Sequence, residues 1–102
     1  VVYMLLDKRN IETLHAIVDF ALIDSFEKVT DEDAAIYTRR LAKQEGIFAG
    51  NSCGAAIKGV IQLKKHFKKD DVVVVLLHDS GSRYIGKMYN DEWMKSKGFN
   101  LD

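Results

Sequence analysis

Six consecutive apolar β-formers, Val72-Val73-Val74-Val75-Leu76-Leu77, make the strongest pattern in the chain. With no polar residue alternating among them, they predict a strand covered on both faces, as in the parallel sheets of α/β folds. Ile47 to Ala49, short and wholly apolar, reads as a second central strand. Between the two the period lengthens to that of a helix from Ser52 to about Phe67. Ala56, Val60, Leu63 and Phe67 face its core side, and Lys58, Gln62 and Lys65 fall on another face. An earlier helix is expected from Thr30, the N-cap with Asp33 three residues on, to Glu45, with Gly46 as a left-handed stop. Tyr37 and Leu41, with Ala34 and Ala42, form its buried side, and Arg39, Arg40 and Lys43 lie away from it or at its C-terminal end.

The ends of the chain are less regular. Val1 to Leu6 is an apolar run that fits a buried strand or the start of a helix, and Asn10 caps a helix through Ile11, Leu14, Ile17 and Val18. A helical or irregular connection follows, with a short strand near Glu27 to Val29. After Ser82 come a helical segment with Tyr84, Ile85 and Met88, a turn at Asn90, and a short helix with Trp93 and Met94 that Gly98 ends.

Strand, helix and strand in that order form a right-handed crossover, and its ligand edge lies where the strands end. Gly50-Asn51-Ser52 and His78-Asp79-Ser80-Gly81-Ser82 both emerge there. Unpaired N–H groups at a helix start attract a polar or anionic group, and the glycines let it approach the main chain. The turn by itself names no ligand: on local physics alone, a tight βα connection with Ser or Asn as helix cap is the simpler explanation.

Composition narrows the classes. Lysine plus arginine and aspartate plus glutamate balance at 15 each, which gives no bulk attraction to nucleic acid or an anionic membrane. The cluster Lys64, Lys65, Lys68 and Lys69 invites a nucleic-acid reading but is more simply explained as cations at the negative end of a helix dipole. One cysteine excludes an internal disulfide, and His15, His66 and His78 have no metal-ligand spacing. A hydrophobic content of 47% without proline indicates a folded chain. No window approaches a membrane span and no leader pattern opens the chain, so a soluble, cytoplasmic setting is expected.

The run from Arg39 to Ala56, followed by Val72 to Leu77 and by His78-Asp79-Ser80-Gly81-Ser82-Arg83-Tyr84, resembles the C-terminal part of cystathionine β-synthase and cysteine synthase. These are fold-type II pyridoxal-phosphate (PLP) enzymes. Tyr89-Asn90-Asp91-Glu92-Trp93-Met94 and Lys97-Gly98-Phe99 are more similar to the cystathionine β-synthase branch. The resemblance covers Val18 to Phe99 and divides the chain into an N-terminal segment, 1–17, that does not match and a C-terminal part of a catalytic core, 18–102.

The resemblance implies an α/β fragment of a three-layer fold, parallel strands with flanking helices. It implies that Ser52 hydrogen-bonds the pyridine nitrogen of PLP, that Cys53 stands where relatives carry Ala or Ser, and that Asp79 and Tyr84 belong to a loop beside the cofactor ring. His78 is expected to be a solvated loop residue. The Schiff-base lysine and the loops for substrate carboxylate and cofactor phosphate belong upstream of Val18, where no match is seen, so no catalytic residue and no metal ligand is assigned. The expected protein is a C-terminal fragment of an enzyme that condenses serine or activated serine with a thiol, inactive alone. Its partners are a small amino-acid substrate and a second copy, as homodimer or self-associating fragment, with no nucleic acid or membrane. From the residues alone, a small α/β binding or assembly module with a phosphate-binding turn at Gly50 to Gly54 stands beside this reading.

Overall fold

Caps at both ends define the longest helix of the computed structural model, which describes residues 3–6 and 20–101. Thr30 Oγ1 accepts from the Asp33 N–H at 3.1 Å, and helix α1 (Asp31–Glu45) begins with three acidic residues at the positive end of its dipole. It stops at Gly46, whose φ of 71° is the left-handed conformation that glycine adopts without penalty. Both ends lie where the sequence places them.

The buried face of α1 differs from expectation. Ala34, Ala35, Ile36, Thr38 and Leu41 are buried, whereas Tyr37 and Ala42 stay partly exposed and Arg39 is partly covered. The reason is the neighbour. Helix α2 (Asn51–Gln62) packs on α1 through small residues, Gly54 sitting so close that a Cβ there would overlap Thr38 Oγ1 and the Ala34 carbonyl. Accordingly Cys53, Gly54 and Gly59 are the buried residues of α2. Of the four apolar residues expected inside, Leu63 alone is buried, with Ala56, Val60 and Phe67 half-covered. The helix also begins one residue earlier than Ser52, and after Leu63 it gives way to a 3₁₀ turn, Lys64–His66.

The strands depart further. Strand β1 (Tyr3–Leu6) pairs in parallel with β2 (Ser25–Lys28), in the register Tyr3↔Ser25 to Leu6↔Lys28. A 3₁₀ turn, Phe20–Leu22, leads into β2, and the helix expected from Asn10 to Val18 lies outside the described residues. Ile47 to Ala49 is not a central strand: Ala49 makes one antiparallel bridge, to Ser80, and Ile47 and Phe48 are exposed. Val72 to Leu77 is not a strand either. Val72 is 89%, Val74 87% and Leu76 76% exposed. A strand exists only through ladder bonds to a neighbour, and no described residue supplies one to this run. The described part is thus a mixed helix and strand arrangement, with one parallel pair of strands.

Two apolar clusters hold it together. Leu41, Ala49 and Cys53 join Ile57 and Leu77 between the helices. Ala35, Ile36, Met88 and Met94 form the other with Tyr37, Tyr84, Tyr89, Trp93 and Phe99 around them. Helix α3 (Asp91–Ser96) closes this second cluster. Asn90 Oδ1 caps it from the N–H groups of Glu92 and Trp93, and Arg39 anchors it by donating to the Met88 carbonyl at 2.9 Å and to Asp91 at 2.6 Å.

Candidate functional site

The turn into α2 is built from both sides. Gly50, buried and extended at φ −84° and ψ 177°, is the N-cap and offers no side chain to the helix. Its N–H donates to the Asp79 carbonyl at 3.0 Å, and the Gly81 N–H donates back to the Phe48 carbonyl at 3.1 Å. A Cβ on Gly50 would run into the Asp79 carboxylate, so only glycine lets the two segments lie this close. Beneath them, Tyr89 Oη donates to the Ala49 carbonyl at 2.6 Å, and fully buried Thr38 donates to the Ala34 carbonyl at 2.8 Å with the Gly50 carbonyl at 3.3 Å. The two segments that the sequence sends to one edge do meet.

Asp79 is the centre of this meeting. Its Oδ1 accepts from the Cys53 thiol at 3.2 Å and its Oδ2 from the Tyr84 hydroxyl at 2.9 Å. Burial alone would raise the Asp79 pKa. The bonds from Cys53 and Tyr84, the His78 charge and the Gly50 N–H together hold it below the ordinary carboxylate value. The same bond to Asp79, aided by burial and by the carboxylate charge, pushes the Tyr84 phenol up. Burial likewise raises Tyr89.

Ser52 sits in the first turn of α2, exposed, and its hydroxyl has no hydrogen-bond partner among the described residues. It is not the helix cap, a role that Gly50 takes. Next to it, Asn51 Oδ1 is buried with no donor among the described residues. A free hydroxyl and an orphaned acceptor at the positive end of a 12-residue helix suit a polar ligand group. His78 is exposed, as expected of a loop histidine. Cys53, 0% exposed, is a packing and hydrogen-bonding residue rather than an accessible thiol.

Sequence patterns missed two supports of the site. Tyr89 enters the sequence reading only as part of the run Tyr89 to Met94, and Thr38 carries no signal apart from being polar on an apolar face. Elsewhere, Arg39, Arg40, Lys43, Tyr89 and Leu101 help to line a cavity of 440 Å³ in which Ser52 has no part. Among the described residues no group of three His, Cys, Asp or Glu could hold a metal ion, and no helix is long and apolar enough to cross a membrane.

Residues 8–79 match the family described as "Pyridoxal-phosphate dependent enzyme". The cystathionine beta-synthase of Dictyostelium discoideum is 39% identical over 83 residues, which are 81% of this chain and 17% of that protein. Cysteine synthase 2 of Schizosaccharomyces pombe is 37% identical over 76 residues, 74% of this chain and 19% of that one. Among solved structures, the O-acetylserine dependent cystathionine beta-synthase from Helicobacter pylori superposes with a TM-score of 0.59 at 35% identity, covering 64% of this chain and 21% of that chain. The chain therefore spans about a fifth or less of the length of these relatives.

Proposed function

This chain belongs to the family of pyridoxal-phosphate dependent enzymes, whose cofactor is PLP, and on that premise we propose that it forms part of the catalytic core of a β-replacement enzyme. The proposed reaction is condensation of serine or an activated serine with a thiol, as the resemblance implies, and it is supported by relatives that bear the names cystathionine beta-synthase and cysteine synthase. The observation that carries the reading is the unpartnered Ser52 hydroxyl, presented by a buried glycine turn at the start of α2.

Ser52 would hold the pyridine nitrogen of PLP. When bound, the cofactor supplies an electron sink for elimination and replacement at the β-carbon of an amino acid. A hydroxyl is too weak an acid to protonate that nitrogen, so Ser52 orients the ring while leaving the sink moderate. An aspartate there would strengthen it. The α2 N-terminus would add partial positive charge on the side of the turn where Ser52 stands. No described residue is assigned a catalytic role: the lysines at Lys43, Lys64, Lys65, Lys68, Lys69, Lys87, Lys95 and Lys97 are exposed, and Lys28 and Lys58 lie on β2 and the α1–α2 face. The 102-residue chain alone is expected to be inactive. In the complete core Val72 to Leu77 becomes a covered strand of the three-layer fold, and the exposed run favours self-association meanwhile.

A PLP titration of the purified chain, with borohydride trapping and peptide mapping, tests this reading. The expected result is a saturable absorbance change that Ser52→Ala weakens, with no lysine trapped. An unchanged response in Ser52→Ala sinks the Ser52 contact, and stoichiometric labelling of one lysine sinks the claim that the chain holds no catalytic lysine. A second reading, a small α/β module that binds phosphate at Gly50 to Gly54, is favoured by the absence of a side-chain cap on α2. Inorganic phosphate binding at that turn without PLP affinity would establish it instead.

A further inference from the structure

Ser52 lies between two residues that hang on the same carboxylate-bearing residue. On its N-terminal side, the Gly50 N–H is bonded to the Asp79 carbonyl at 3.0 Å. On its C-terminal side, the Cys53 thiol is bonded to Asp79 Oδ1 at 3.2 Å and reaches the Asp79 carbonyl at 3.6 Å. The second carboxylate oxygen is taken by Tyr84, in the 3₁₀ turn Gly81–Tyr84, at 2.9 Å. With one oxygen accepting from Cys53 and the other from Tyr84, the Asp79 carboxylate is held by protein donors on both sides.

We infer that Asp79 is a positioning residue: by binding Gly50, Cys53 and Tyr84 at once it fixes the first turn of α2 and thereby the direction of the Ser52 hydroxyl. This rests on the reading of Ser52 as a cofactor contact. Cys53 takes part as a hydrogen donor, which an alanine at that position could not be and a serine could. The carboxylate's depressed pKa agrees, because an ionised group is the better acceptor for both donors.

Amide hydrogen exchange on the full chain tests the clamp without any cofactor. Asp79→Asn should raise the exchange rates of the Gly50, Cys53 and Gly54 amides at least tenfold, while the Ala35 and Leu41 amides of α1 keep their rates. Should Asp79→Asn fail to fold, Tyr84→Phe and Cys53→Ala each remove one donor and should speed the same three amides severalfold. Cys53→Ser, which keeps a donor, should restore the slow rates. Unchanged rates at the turn, or equal acceleration throughout α1, overturn the proposal. So does a Cys53→Ser variant that behaves like Cys53→Ala. PLP titration of Ser52→Ala separates the two ideas: a wild-type response there removes the cofactor contact, while the exchange rates still judge the clamp.

Discussion

At single positions, Gly50, Gly54 and Gly81 mark places where segments pack too closely to admit a Cβ. Gly54→Ala forces a methyl group against the Ala34 carbonyl and Thr38, backbone and buried side chain that have little room to move. Overpacking of this kind costs about 1–3 kcal/mol, to be read from denaturant unfolding. Ser52→Ala, at an exposed hydroxyl without a partner, should change stability by less than about 0.5 kcal/mol in the same assay. Asp79 gives a prediction in pH. Its folded pKa lies below the ordinary 3.8, so its contribution is complete above that value and is lost as pH falls through the folded one. Thermal melts between pH 2 and 6 should therefore show an acid-side decline in wild type that is shallower in Asp79→Asn. None of these roles is written in a local pattern. The resemblance points to Ser52, Cys53 and Asp79 as positions, but the bonds of Cys53, Asp79 and Tyr89 run to partners 26 to 40 residues away, which no local pattern shows.

The elements divide along the same line between near and far. Both ends of α1 were legible because caps are local chemistry: Thr30 reaches Asp33, three residues on, and Gly46 turns at its own φ. Removing the cap by Thr30→Ala should cost about 1 kcal/mol, measurable as a drop in unfolding free energy with an unchanged m-value. The inner face of α2 was misread for a physical reason. Periodicity locates the apolar side of a helix, but helices can meet at their smallest residues, and here Gly54 and Cys53 displaced Ala56 and Val60 from the tightest contact. Val72 to Leu77 is the opposite case. Its composition is that of a covered strand, yet a ladder needs a second strand, and sequence alone does not supply the neighbour.

For the molecule as a whole, that uncovered run is expected to govern behaviour in solution. Val72, Val74 and Leu76, with Ile47 and Phe48, are exposed apolar residues of a kind that soluble monomers rarely display in continuous stretches. Sedimentation should show mass rising with concentration, and Val72→Lys with Val74→Lys should reduce it while leaving the melting temperature in place. A wild-type chain that stays monomeric at all concentrations would contradict this. The bond from Tyr89 to the Ala49 carbonyl has a consequence in time as well as in space. Tyr89 is made 40 residues after Ala49, roughly 2–8 s later at ~5–20 residues per second on a ribosome. Asp79 also follows its turn. A nascent chain halted shortly after Gly54 would carry Ser52 with neither of its anchors, so the order of translation makes this site one of the last features to settle.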